Sequence, residues 1–183
     1  MRVITGMAKG SHLKMPKGPT RPATDLVKGA IFSILENLTE DWDNVLDLFS
    51  GSGGLGIEAL SRGAGWVDFI DREPKVCATI RENLERTRLS EFSHVYCAGV
   101  SKAISFLDKQ YSIILCDPPY KNAAVGNLLQ QLADSNLVGP NTIVVATYPE
   151  YRPLSPAYGS LKSIKEVRHG DSCIAVYRRD NTV

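Results

Sequence analysis

From residue 44 onward, short apolar runs alternate with stretches of helical periodicity, and this alternation limits the fold more than any other feature of the chain. Val45-Leu46-Asp47-Leu48-Phe49, Trp66-Val67-Asp68-Phe69-Ile70, Ser112-Ile113-Ile114-Leu115-Cys116 and Thr142-Ile143-Val144-Val145-Ala146 are too short for helices. They are apolar enough to be buried on both faces, as strands of a parallel sheet are. A weaker run, His94-Val95-Tyr96-Cys97, sits among them. Pro74 suits a first helical position, and Val76, Cys77, Ile80 and Leu84 then share one helix face. An earlier helix carries Val27, Ala30, Ile31, Ile34, Leu35 and Leu38, with Thr24 as its N-cap. Near the end, Leu161 to Val167 and Cys173 to Tyr177 flank Arg168-His169-Gly170-Asp171-Ser172, which makes a hairpin. The expected fold is therefore α/β: a doubly wound, mostly parallel seven-stranded sheet finished by a C-terminal antiparallel hairpin.

A chain of 183 residues, 43% hydrophobic and 22% charged, suits one globular domain and excludes disordered and fibrous classes. No apolar run approaches the roughly 18 residues of a membrane span. Met1-Arg2-Val3-Ile4-Thr5-Gly6 lacks the apolar stretch of a signal peptide. A cytoplasmic protein with no membrane partner is expected. Cys77, Cys97, Cys116 and Cys173 form no C-x-x-C pair and read as buried free thiols. With His12, His94 and His169 equally scattered, no metal-ligand spacing appears.

The charge is unevenly spread. Residues 1–30 hold Arg2, Lys9, Lys14, Lys17, Arg21 and Lys28 against Asp25 alone, while the rest of the chain is mildly acidic. Two short extended pieces, Arg2 to Thr5 and His12 to Met15, are separated by Gly6 and Gly10 and followed by Pro16, Pro19 and Pro22. This reads as a small N-terminal β-hairpin outside the core with a stiff exit. Such a basic arm suits a polyanion, with Lys9, Lys14 and Arg21 as phosphate contacts and His12 beside them. A solvated hairpin is the alternative.

Three features carry chemistry. The stretch Asp47-Leu48-Phe49-Ser50-Gly51-Ser52-Gly53-Gly54-Leu55-Gly56 leaves a buried strand and enters a helix, and its glycines let the backbone turn sharply against a ligand. A bare glycine pattern of this kind also fits a dinucleotide enzyme. Asp47 beside the loop repels pyrophosphate but suits a cation, and S-adenosylmethionine offers an ammonium, a sulfonium and no phosphate. Asp71, closing the second strand, is placed to accept both hydroxyls of a ribose. The third feature, Asp117-Pro118-Pro119-Tyr120, follows directly on a strand. Its prolines force the chain out of the sheet in a rigid turn. A carboxylate, the Pro118 carbonyl and an aromatic ring are thereby fixed at the sheet's carboxyl edge. That set matches a planar group bearing an exocyclic amine: two acceptors for two hydrogens and a ring to stack on its face.

On these residues the chain resembles Rossmann-type (class I) S-adenosylmethionine-dependent methyltransferases of the amino-methylating kind. It is most similar to the bacterial family of 16S rRNA (guanine-N2)-methyltransferases, the RsmD type. The likeness runs through Arg2-Val3-Ile4, Thr20-Arg21-Pro22-Ala23-Thr24-Asp25, the glycine loop with Leu55 to Ala64, Asp117 to Tyr120, and Gly170-Asp171-Ser172. It implies methyl transfer to the N2 amine of a guanine in small-subunit rRNA, with Asp117, Pro118 and Tyr120 catalytic and Asp47, Phe49, Gly51, Gly53 and Asp71 on the cofactor. Lys9, His12, Lys14 and Arg21 would meet the RNA. Residues 1–22 would be a basic appendage on a catalytic domain of residues 23–183. The partner would be ribosomal RNA or the small subunit, and a monomer is the expectation. Where the family usually has acids after strands three and five, this chain has Ala98-Gly99 and Ala146-Thr147. Rivals are an amino-methyltransferase acting on DNA adenine or protein glutamine, a nicotinamide oxidoreductase, and a non-catalytic RNA-binding module.

Overall fold

Thr24 marks the change from extended entry to helix. Its Oγ1 accepts the Val27 N–H at 3.2 Å, a cap worth about 1 kcal/mol. Helix α1 (Asp25–Leu38) then buries Val27, Ile31, Phe32 and Leu35 along one stripe. The computed structural model describes residues 1–18, 22–121 and 125–181. Beyond α1 the strands are β1 (Asn44–Leu48), β2 (Trp66–Asp71), β3 (Ser93–Cys97), β4 (Tyr111–Cys116), β5 (Val138–Pro149), β6 (Ala157–Tyr158), β7 (Leu161–His169) and β8 (Ser172–Arg179). The remaining helices are α2 (Gly54–Ser61), α3 (Pro74–Arg86), α4 (Val100–Phe106) and α5 (Val125–Ala133).

The strands form one sheet in the order β3-β2-β1-β4-β5-β8-β7-β6. The first five in that order run parallel. β8, β7 and β6 then add antiparallel. The sheet has eight strands rather than the expected seven. The extra one, β6, is two residues long, pairs only with Lys162 and Leu161, and follows Pro156. So short a segment has no room for an alternating pattern.

Successive side chains point to opposite faces of each parallel strand, and both faces are covered. Val45, Val67, Phe69, Ile113, Leu115, Ile143 and Val145 share one core with α1, α2 and α3. Leu46, Leu48, Ile70, Ile114, Val144 and Ala146 share the other with α4 and α5. This two-sided burial explains why the strands read as continuous apolar runs. Asp68 interrupts one of them yet is buried. It is satisfied by Trp66 Nε1 at 2.8 Å, the Tyr111 hydroxyl at 2.6 Å and Lys109 Nζ at 2.9 Å.

The N-terminal segment is part of the core. Arg2 and His12 form an isolated antiparallel bridge, and Val3, Ala8 and Leu13 are buried in the same cluster as α1 to α3. The polar residues that dock the segment lie elsewhere in the chain, which is why its own sequence reads as peripheral. Glu58, fully buried on α2, accepts the Ile4 and Thr5 N–H groups at 2.8 and 3.1 Å. It also pairs with Lys28 at 3.3 Å and Arg62 at 3.2 Å. Lys28 Nζ donates to the Arg2 carbonyl at 2.7 Å. Lys28 thus leaves the set of basic surface groups: it is fully buried and acts as a structural cation. Gly6 lies against α2 with φ +92°, and a Cβ there would sit 1.8 Å from the Ser61 carbonyl oxygen. Cys77, Cys116 and Cys173 are buried as expected, but Cys97 is exposed because it terminates β3, an edge strand. Among the described residues no helix is long and apolar enough to cross a membrane.

Candidate active site

The chain order of the strands reverses at β1, which lies between β2 and β4. In open α/β sheets the crevice beyond the carboxyl ends at such a point receives the ligand. Leu48 is in register with Ile70 on one side and Cys116 on the other. The acids Asp47, Asp71 and Asp117 therefore gather at this one edge.

Asp47 is buried, and its Oδ2 accepts the Gly56 N–H at 3.0 Å. Burial pushes its carboxyl well above the usual carboxylate range. The Gly56 hydrogen bond opposes that shift, and the charges of Asp117 and Asp71 reinforce it. Cys116, at the end of β4, is likewise pushed up by burial and by the charges of Asp117 and Asp47. Burial is the larger cause in both, and a cation would relieve the smaller push that the neighbouring carboxylates add.

The loop between Asp47 and α2 is held from two sides. The Ser50 hydroxyl donates to the Asp47 carbonyl at 2.6 Å and accepts the Ile70 N–H at 3.0 Å. Asp71 Oδ2 accepts the Gly51 N–H at 3.1 Å, and Asp71 Oδ1 accepts the Glu73 N–H at 3.1 Å. Phe49 leaves the strand with φ 55°, an uncommon backbone state for a bulky residue. Gly53, the N-cap of α2, has φ 82°. Gly56 provides the close helix–strand approach: a Cβ there would lie 2.3 Å from the Phe69 ring and 2.9 Å from the Asp47 carboxylate. At Gly51 a Cβ would meet nothing within 4 Å, so the loop is open on that side.

Pro118 is buried, Pro119 exposed, and Asp117 and Tyr120 half-buried. The Thr147 hydroxyl on β5 donates to Asp117 Oδ1, and the Tyr120 hydroxyl donates to Ser172 Oγ on β8. Two strands thus clamp the turn. Neither clamp is evident from the sequence, although Thr147 belongs to the Ala146-Thr147 pair that stands where the family usually has an acid and Ser172 ends the Gly170-Asp171-Ser172 stretch.

The arm's contacts run to α2 and α3. Asn83 of α3 is fully buried. Its Oδ1 accepts the Lys14 N–H at 2.8 Å, and its Nδ2 donates to the Lys14 and Ser52 carbonyls, both at 2.9 Å. The primary amide pairs with one backbone unit of the arm and gives its other hydrogen to the glycine loop. Met1 Sδ touches Ser52 Oγ at 3.5 Å. Lys9 and His12 are exposed, whereas Lys14 Nζ is already paired with Glu82 at 3.0 Å. Arg21 lies outside the described residues. A separate hollow bordered by Glu36, Thr39, Glu40, Trp42, Arg62 and Gly63 contains none of the candidate residues.

The family model described as conserved hypothetical protein 95 matches residues 1–178. YlbH of Bacillus subtilis, named as a candidate rRNA methyltransferase, is 36% identical over 183 residues, covering 98% of this chain and 99% of that one. Ribosomal RNA small subunit methyltransferase D of Escherichia coli is 29% identical over 186 residues, covering 98% of this chain and 90% of that one. A solved structure described as a candidate methyltransferase from Escherichia coli superposes with a TM-score of 0.86 at 26% identity, covering 98% of both chains. With a whole-length family match, a whole-length relative and a shared sheet, the chain belongs to the conserved hypothetical protein 95 family, the RsmD-type methyltransferases.

Proposed function

We propose that the protein transfers a methyl group from S-adenosylmethionine to the exocyclic N2 amine of a guanine in small-subunit ribosomal RNA, in the cytoplasm. The observation that carries this reading is the gathering of Asp47, Asp71 and Asp117 at one sheet edge, with the Asp117-Pro118-Pro119-Tyr120 turn clamped beside them by Thr147 and Ser172. A crevice with three carboxylates repels a pyrophosphate and favours a positively charged cofactor, which argues against a nicotinamide enzyme. The open side of Gly51 and the raised Asp47 both fit such a group.

S-adenosylmethionine supplies an electrophilic methyl group on a cationic sulfur. Asp71, which orders the loop through Gly51 and Glu73, would accept the ribose hydroxyls with its remaining lone pairs, and Asp47 would contribute charge from below the loop. The target amine is a poor nucleophile because its lone pair is delocalised into the base. Hydrogen bonds from its two hydrogens to Asp117 and the Pro118 carbonyl favour the pyramidal nitrogen and aim the lone pair. Their benefit grows toward the transition state, which is where it raises the rate. Thr147, by holding Asp117 Oδ1, sets the direction of that carboxylate. Tyr120 offers its ring to the base, about 1–3 kcal/mol for a stacked base, and Ser172 fixes the ring's tilt. The base reaches this site only when unpaired or flipped.

The test is methyl transfer to small-subunit rRNA taken from cells lacking the gene, followed by nucleoside mass spectrometry. N2-methylguanosine is the expected product. A methylated adenine, or label on protein alone, would replace the guanine assignment. No transfer to any substrate with S-adenosylmethionine bound would end it.

A further inference from the structure

Beyond the residues assigned to the target base, we propose that Tyr151, backed by the Arg152 guanidinium, is a stacking platform for the unpaired nucleotide that flanks that base in the RNA. The inference rests on the RNA reading of the catalytic edge and names a subsite next to it. β5 carries Thr147, which holds Asp117, and ends at Pro149. Tyr151 follows two residues later, at most ~7 Å of chain beyond that strand end. Pro149 is paired with Ser172, the residue that holds Tyr120. Tyr151 therefore lies at the same end of the sheet as the catalytic turn.

The backbone around Tyr151 is tied down while its ring is left in water. The Glu150 N–H donates to the Asp171 carbonyl at 3.4 Å, and the Arg152 N–H donates to the Pro149 carbonyl at 3.0 Å. Arg168 bridges the Glu150 carboxylate and the Gly170 carbonyl. The tyrosine nevertheless is 72% exposed, with the Arg152 guanidinium carbon 5.8 Å from its ring centroid. A rigid loop presenting an aromatic ring with a cation against it has the composition that single-stranded nucleic acid selects: a π-face for a base and a positive charge for the adjoining phosphate. Lys121, directly after the catalytic turn, is a further exposed cation on the chain. Met7 and Leu26 are equally exposed apolar side chains. They lie on the arm and on the first turn of α1, with no such tie to the catalytic turn.

The test uses the full-length chain and a single-stranded RNA carrying 2-aminopurine on either side of a guanine. The wild-type protein and Tyr151→Phe should quench the probe at one of the two positions. Tyr151→Ala should lose the quenching and bind the RNA about tenfold more weakly. Its S-adenosylhomocysteine affinity and Tm should stay unchanged. Wild-type RNA affinity and quenching in Tyr151→Ala would overturn the platform and leave the methyltransferase reading standing, provided the wild-type protein still methylates rRNA. Weakened binding to assembled subunits with normal binding of naked RNA would make the patch a protein contact and also overturn it. Failure of the wild-type protein to bind this RNA would overturn the platform, and methylation of small-subunit rRNA by the same protein would leave the methyltransferase reading standing.

Discussion

At the scale of single residues, Asp47 shows a conflict between stability and function. Its carboxyl is buried against two other acids, so the folded state holds its proton more tightly than the unfolded chain does. Folded stability therefore declines as pH rises from the usual aspartate range through the raised value. Asp47→Asn keeps an oxygen for the Gly56 N–H and removes the charge. The variant should melt a few degrees higher at neutral pH in the absence of ligand, at roughly 2–4 °C per kcal/mol for a chain of this size. It should also bind S-adenosylmethionine more weakly. Binding of the cationic cofactor lowers the carboxyl's pKa, so the wild-type protein should release protons on binding at mildly acidic pH. Calorimetry in buffers of different ionisation enthalpy measures that release, and Asp47→Asn should lose it. Asp117→Asn makes the opposite separation: single-turnover methylation should fall by orders of magnitude while cofactor affinity barely moves. Tyr120→Phe keeps the ring but loses the Ser172 bond, so a loss of about 0.5–1.5 kcal/mol in positioning is expected, against near-complete loss in Tyr120→Ala. Asp47, Asp71 and Asp117 were legible as a group because each lies at or just past the carboxyl end of a recognisable strand. Thr147 and Ser172 were not, since a lone hydroxyl gives no signal until the strand that pairs beside it is known.

Elements explain why the N-terminal segment, peripheral by its own composition, ends in the core. It is docked by α1, α2 and α3, chiefly through Glu58, which accepts the Ile4 and Thr5 N–H groups and pairs with Lys28 and Arg62. Removing that carboxylate leaves Lys28 charged and unpaired in a buried site, a cost of about 3–5 kcal/mol. Glu58→Ala should lower the Tm by roughly 10 °C at the conversion above. Hydrogen exchange at Val3 and Leu13 should quicken before exchange in β1 and β4. Equal loss of protection throughout would mean the segment unfolds only with the whole domain. The sequence held a clue to this site. Lys28 lies three and four residues before Ile31 and Phe32, on the stripe that faces inward, and Glu58 sits in a helix otherwise almost wholly apolar. Charge totals treat such groups as surface. Strand positions, in contrast, were nearly all legible: β1, β2, β4 and β5 because burial on both faces of a parallel sheet leaves an apolar run, and β7 and β8 because a turn sequence separates them. The exception, β6, is specified by its pairing with β7 and by little of its own sequence.

For the whole molecule, the charge asymmetry survives in reduced form. With Lys28 interior and Lys14 engaged by Glu82, exposed Lys9 is readier than Lys14 for a phosphate contact. Lys9→Gln should lower the slope of log affinity for RNA against log salt by about one, with cofactor binding intact. Lys14→Gln should lower it by less, because its exposed ion pair must first be exchanged. An equal change for both would show that the Glu82 pair dissolves on binding. The docking of the arm bears also on how the chain acquires its structure during synthesis. Its anchors Glu58, Ser61 and Asn83 are 53 to 69 residues downstream. The segment is translated before its anchors and must therefore wait, unpaired, until two later helices have emerged. Long-range closure of this kind slows folding. A nascent chain halted before Asn83 should leave its first fifteen residues open to protease, and the same residues should become resistant once α3 is free of the ribosome.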